Sequence, residues 1–205
     1  MRYIAIAAGI AVAVLLGTTA YFILSGQRGS DQFAQCREST IAGGSAAIGG
    51  PFTLTRGDGQ RVTDADVIDG PTLIYFGFTY CPDVCPLDVS RNAAAVDLLE
   101  ERGILVKPVM ISVDPGRDTP EVIGEFASWM HPRMVGLTGS AEELSAAQQA
   151  YRVFASRRGE GEDYLYDHST FSYLMAPGHG LLEFFRRDVE PEELADRIAC
   201  FTEKL

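Results

Sequence analysis

The stretch "TLIYFGFTYCPDVCPLDV", residues 72–89, constrains the fold more than any other part of the chain. Its first eight residues are apolar, aromatic or β-branched with no polar alternation, the pattern of a strand buried on both faces. Such a strand needs a sheet with helices on either side. Cys81 and Cys85 follow, each with a proline directly after it. Proline pushes the residue before it away from helical angles, so both cysteines are expected outside the next helix. Pro86 suits the first helical position, which makes Cys85 the N-cap and leaves Cys81 on the loop. Both sulfurs then lie at the positive end of a helix dipole, where thiolate is favoured over thiol. Thiolate serves disulfide exchange and metal binding alike, so position leaves both chemistries open. The pair is one residue wider than the Cys-x-x-Cys of redox proteins. That spacing leans toward a metal without forbidding a Cys81–Cys85 redox disulfide.

The segments around this stretch alternate. "PFTLTRGDGQRVT" reads as a hairpin, and "PLDVSRNAAAVDLLEERG" as a helix stopped at Gly103. "ILVKPVMISVD" is a strand, "TPEVIGEFASWM" a helix and "RMVGLTG" a short strand. "SAEELSAAQQAYRVF" is a helix with a capping signal from Ser140 to Glu143. "SRRGEGED" is a polar excursion. "YLYDHSTFSYLMAP" and "LLEFFRR" are two strands joined at "PGHG", and "EPEELADRIACFTEKL" closes the chain as a helix. This order predicts an α/β, thioredoxin-like three-layer sandwich with a central mixed sheet over residues 49–205.

Ahead of that domain, Tyr3 to Leu24 is uncharged and mostly apolar, about long enough to span a bilayer as one transmembrane helix. The expectation is an uncleaved anchor with its flank over residues 1–29, a cleaved signal peptide being the alternative. A Gly- and Ser-rich tether, residues 30–48, follows. Every Asp and Glu lies beyond the anchor, and the chain's net charge is −11. No basic stripe is present, so nucleic acid is not an expected partner. Export of the domain would place Cys36 and Cys200 where disulfides persist, and they are a candidate structural clamp between its ends. Two unrelated thiols are the other reading.

Two cysteines do not complete a metal site. Of the three histidines, His131 ends a helix before Pro132, where a helix-end role suffices. His179 lies in the exposed turn "PGHG". His168, at the start of a strand in "YDHSTF", has Asp167 and Ser169 beside it to hold its ring, as metal-bound histidines require. Two thiolates and an imidazole form a soft set suited to Cu(I) or zinc. Structural zinc takes four protein ligands. A missing fourth leaves the open position that transferable copper needs. Asp83 would favour a bound cation electrostatically. Asp114 and Arg117 are expected to shape the next turn, Asp118 or Thr119 to cap the helix starting at Pro120, and Met110 and Met175 to be core.

"GFTYCPDVCP", "SVDPGRDTP" and "YDHSTFSYLMAP" together resemble the three signature segments of the Sco/SenC proteins, in order and with appropriate separations. The resemblance runs from about Gly49 to the C terminus. It implies a membrane-tethered, thioredoxin-like copper protein that assists assembly of the binuclear copper centre in cytochrome c oxidase subunit II. It also implies Cys81, Cys85 and His168 as ligands of Cu(I), and in some members of Cu(II). The location implied is the bacterial inner membrane, single-pass, with the domain in the periplasm and an upstream periplasmic copper donor. The absence of an Arg-rich transit peptide favours the bacterium over the mitochondrion. Such a protein acts as a metallochaperone, by ligand exchange and not by catalysis, with thiol–disulfide reductase activity left open by the cysteine pair. The alternatives are a thiol–disulfide oxidoreductase that keeps the oxidase cysteines reduced, and a redox or copper sensor.

Overall fold

The strand read from the opening stretch is β3, Thr72–Gly77, and all six of its residues are buried. It lies inside a seven-stranded sheet, fifth from one edge. The coordinates are a computed structural model of the chain and describe residues 14–19, 21, 31–39 and 47–205. They divide into two units, residues 1–35 and 36–205. In the first, residues 14–19 are helical. The expected span Tyr3–Leu24 lies largely outside the described residues. Among the described residues, no helix is long and apolar enough to cross a membrane.

In the second unit, β1 (Thr53–Arg56) and β2 (Arg61–Thr63) form the expected hairpin. A short helix, α1 (Asp64–Val67), leads into β3, and α2 (Val84–Glu101) follows it. Then come β4 (Lys107–Ser112), α3 (Pro120–Met130), β5 (Val135–Thr138) and α4 (Ala141–Ala150). β6 (Ala155–Arg158), β7 (Leu165–His168), β8 (Ser172–Ala176), β9 (Gly180–Phe185) and α5 (Pro191–Thr202) complete the order. β3 pairs in parallel with β4, and β4 with β5, while β8 runs antiparallel to both β3 and β9. The sheet is therefore mixed, with the strand order β2-β1-β5-β4-β3-β8-β9. Helices cover both of its faces, as the complete burial of β3 requires. Gly103, at φ 75, ends α2. Ser140 and Glu143 form the capping box that opens α4. Thr119, and not Asp118, caps α3, with Pro120 as its first residue.

Three local expectations change. Cys85 is inside α2, at its second residue, and the N-cap position belongs to Asp83. A proline in the first turn removes an N–H that has no helical partner, and its ring meets only a carbonyl outside the helix. The residue before it can therefore be helical. Second, the polar excursion is half strand: β6 pairs antiparallel with β7, Ala155 opposite His168. This ribbon stands apart from the main sheet, so it carries no apolar signature. Third, His168 consequently ends a strand instead of starting one. The chain breaks at residues 169–171, where Ser169 N–H donates to the Phe154 carbonyl at 2.9 Å, before β8 enters the sheet.

Cys36 and Cys200 are disulfide-bonded, with their Cα atoms 5.7 Å apart. The bond anchors a strap, residues 36–39, to β9 and α5. Arg37 Nε donates to the Leu182 carbonyl at 3.1 Å, and Glu38 N–H donates to Glu183 at 3.1 Å. Ser39 hydrogen-bonds the same carboxylate, and Arg197 of α5 pairs with Glu38 at 3.2 Å.

Candidate metal centre

β3 delivers the chain to the site and α2 takes it away. Gly77, the last residue of β3, is required there by packing: a Cβ would stand 2.8 Å from the Tyr75 ring and 3.2 Å from Cys85 Sγ. Beyond it, residues 78–83 carry Cys81. The Cys85 N–H, one of the free first-turn donors of α2, points at Cys81 Sγ at 3.2 Å. Cys81 therefore does for the helix what an N-cap oxygen does. Both thiols are free and buried. Burial pushes the Cys85 thiol well above its ordinary range, so the helix end does not by itself make that sulfur a thiolate.

His168 closes the site from β7. Its Nε2 lies 3.3 Å from Cys85 Sγ, and the three candidate ligand atoms of Cys81, Cys85 and His168 lie within 4.8 Å of one another. Its Nδ1 lies 2.9 Å from the Ser169 carbonyl. A carbonyl only accepts, so Nδ1 carries the proton and Nε2 turns a lone pair toward the sulfurs. The backbone of Ser169, not its hydroxyl or Asp167, holds the ring. Tyr75 and Phe78 meet the imidazole edge-on, at 6.1 and 5.8 Å between ring centres. Burial lowers the His168 pKa, which keeps the ring neutral and able to coordinate. Two thiols and a neutral imidazole nitrogen converging in a buried pocket suit a soft metal ion.

The "SVDPGRDTP" segment ties the cysteine loop down. Asp118 is buried and accepts from Thr79 N–H at 3.2 Å, from Thr79 Oγ1 at 2.5 Å and from Ser112 Oγ at 2.5 Å. Thr79 is two residues before Cys81, so this carboxylate fixes where the loop leaves β3. Asp114 accepts from the Tyr164 hydroxyl and from Arg117 Nε, both at 2.7 Å. The Arg117 guanidinium lies 3.7 Å from the Tyr164 ring centre and 4.7 Å from that of Tyr80. Asp114 and Arg117 thus join the β4–α3 turn to the β6–β7 ribbon that carries His168. Asp83 makes no side-chain capping bond. Met110 and Met175 are core residues, and His179 is exposed in the β8–β9 turn.

Asp97, Glu100 and His131 form a second cluster with candidate ligand atoms within 4.8 Å of one another. There His131 Nδ1 accepts from Arg133 N–H at 3.1 Å, so Nε2 bears the proton and donates to Asp97 at 3.1 Å. Glu100 is paired with Arg133. The arrangement holds the end of α3 and leaves no free imidazole lone pair. Sequence reasoning passed over Tyr75 and Asp88, whose hydroxyl and carboxylate meet at 3.0 Å beneath Cys85. The available signals were a tyrosine in an apolar strand and an acid three residues after Cys85, on the same helix face.

The SCO1/SenC family model matches residues 41–203. Protein SenC of Rhodobacter capsulatus is 52% identical over 202 residues, covering 98% of this chain and 90% of its own. The mitochondrial SCO1 homolog 1 of Arabidopsis thaliana is 45% identical over 76% of this chain, which spans only 47% of that longer protein. Among solved structures, Arabidopsis thaliana ScoI with copper bound superimposes at a TM-score of 0.73, with 42% identity, over 77% of this chain and 99% of its own. BsSco, a member of the Sco family of cytochrome c oxidase assembly proteins in which a disulfide switch was identified, superimposes at 0.63. It shares 25% identity over 81% of this chain and 98% of its own.

Proposed function

This chain belongs to the SCO1/SenC family, and from that premise we propose that it is a membrane-anchored copper chaperone. Copper is its cargo, held by Cys81 Sγ, Cys85 Sγ and His168 Nε2 and handed to the binuclear copper centre of cytochrome c oxidase subunit II. The observation that carries this reading is the convergence of these three atoms, with the imidazole lone pair turned inward by the Ser169 carbonyl. A three-ligand set leaves a coordination position through which an acceptor's ligand can enter before one of the donor's leaves. Transfer then proceeds by exchange of ligands and needs no bond-making catalysis. Cys81, at the edge of the site and 8% exposed, is the first sulfur an acceptor meets, whereas Cys85 is wholly buried. The bacterial relative that matches almost the whole chain supports a bacterial protein; we place it in the inner membrane, with its domain in the periplasm and loaded by an upstream copper donor.

Anaerobic Cu(I) titration of the reduced full-length chain tests the reading. One copper per chain is expected, with tight binding lost in Cys81→Ser, Cys85→Ser and His168→Ala. Unchanged stoichiometry and affinity in all three variants would sink it.

A second reading is favoured by the contact between Cys85 N–H and Cys81 Sγ, which brings the two residues close enough to cycle as a dithiol. The chain would then reduce the oxidase cysteines before copper arrives. Electrons for two thiols come from Cys81 and Cys85, which end as a disulfide. The two readings separate on His168: thiol exchange survives His168→Ala, and copper retention does not.

A further inference from the structure

Among the described residues of the second unit, six large apolar side chains stand exposed: Tyr80, Leu87, Leu105, Trp129, Phe154 and Leu205. Four of them gather at the candidate metal centre. Tyr80 directly precedes Cys81, and Leu87 follows Cys85 by two residues. The Phe154 N–H donates to Ser169 Oγ at 3.0 Å, one residue from His168. Trp129, 83% exposed, shares a groove with Tyr80. Folding does not call for this crowding, because each of these side chains leaves apolar surface in water.

The groove between Tyr80 and Trp129 has a volume of about 440 Å³. Its α3 side includes Val122, Phe126 and Met130, spaced by four along the helix, and its other side is Thr79 and Tyr80, which lead into Cys81. Ile123 and Ala127 of the same helix are buried in the domain. α3 is thus apolar outward as well as inward, the pattern of a helix covered on both sides. Among the described residues lining the groove, Glu125 alone is charged, and Asp83 is exposed on the cysteine loop. The Arg117 guanidinium, 4.7 Å from the Tyr80 ring centre, is paired with Asp114 at 2.7 Å.

Resting on the copper-transfer reading above, we propose that this groove docks the protein that accepts copper from Cys81. An acceptor that exchanges ligands with Cys81 has to lie over that sulfur, and the groove begins one residue away from it. The occupant that fits presents an apolar or aromatic side chain to Tyr80 and Trp129, residue types that anchor interfaces, and a lysine or arginine to Glu125 and Asp83. A second copy of this chain fits poorly, because it brings the same acids and a net charge of −11 against its own kind. Docking here sets how readily an acceptor reaches Cys81 and leaves the affinity of the site for copper untouched.

The test loads the reduced, full-length chain with Cu(I) and mixes it anaerobically with increasing copper-free, reduced oxidase subunit II. It reads the transfer rate against subunit II concentration, the copper affinity against a chelator, and the oligomeric state by sedimentation. Trp129→Ala is expected to raise the half-saturating concentration about tenfold or more, with the plateau rate and copper affinity unchanged. Glu125→Lys is expected to raise it as well and to flatten its dependence on salt. Leu105→Ala, equally exposed but at the far end of β3 beside Pro71, should change nothing. Wild-type concentration dependence in both Trp129→Ala and Glu125→Lys overturns this inference alone, and should Trp129→Ala fail to fold, Glu125→Lys decides. A wild-type dimer that Trp129→Ala splits assigns the groove to a second copy and also overturns it. A wild-type chain that binds no copper, or holds it and yields none to subunit II, overturns it together with the reading it rests on.

Discussion

Two histidine clusters among the described residues have the same tight spacing, yet only one presents an imidazole lone pair beside free thiols. At Cys81, Cys85 and His168 the backbone partner of Nδ1 is a carbonyl, which accepts, and Nε2 is left with a lone pair. At Asp97, Glu100 and His131 the backbone partner is an N–H, which donates, and Nε2 is left with the proton. Spacing alone would score the two alike. What separates them is the polarity of a single hydrogen bond to the far side of each ring, together with the partners already present. Asp97 takes the imidazole proton and Arg133 occupies Glu100, whereas both thiols of the first cluster are free.

The contrast breaks first under ligand removal. Cys85→Ser and His168→Ala are expected to lower copper affinity by more than the roughly 10–100-fold typical of losing a partner outside the ligand set. His131→Ala should leave copper stoichiometry and affinity unchanged. Competition titrations against a Cu(I) chelator give both answers, and a comparable loss in His131→Ala would erase the distinction.

Next in size is Asp118→Ala. It strips the acceptor from Thr79 and Ser112, both at or behind the cysteine loop, and should cost about 2–4 kcal/mol in chemical denaturation. Copper binding should weaken with it because Cys81 is no longer fixed. His131→Ala should cost about 1–2 kcal/mol through the lost helix-end bonds, with no such coupling to copper.

The smallest expected effect is on pH dependence. His168 is held neutral by burial, with its pKa below the ordinary 6.5. The unfolded chain therefore takes up a proton before the folded one, and this group's contribution to stability is lost as pH falls from about 6.5 toward the lower folded value. His168→Gln should flatten that part of the metal-free stability profile. A profile with the same slope in both proteins would show that the ring is not neutral in the fold.

The core of this fold was legible because β3 is a continuous apolar run, α2 has its glycine stop at Gly103 and α4 has its capping box at Ser140 and Glu143. The site was less legible. The two prolines after the cysteines were read as excluding helix, but a proline at the third helical residue costs nothing when its N–H has no partner, and Cys85 slipped inside α2. β6 escaped notice because residues 156–158 are exposed and the ribbon stands clear of the main sheet, so no apolar alternation marks it. The fold brings His168 beside Cys81 and Cys85, but from the end of a strand and not from its start. Asp118 looked like a helix cap because it precedes Thr119 and Pro120. Only the tertiary contact with Thr79, 39 residues earlier, reveals its task. Long-range partners of this kind leave no periodic trace in a sequence.

The strap over residues 36–39 has a consequence outside copper chemistry. The main sheet has two open edges, β2 and β9. The first has three residues, too few to template another chain. β9 has six, long enough to recruit a foreign strand through its unpaired backbone groups. Arg37 occupies the Leu182 carbonyl there, and Glu183 grips the strap's own amides. The Cys36–Cys200 bond keeps this cover in place. The disulfide thereby holds polar partners over the β9 edge, and reducing it is expected to raise light scattering from self-association before the domain unfolds.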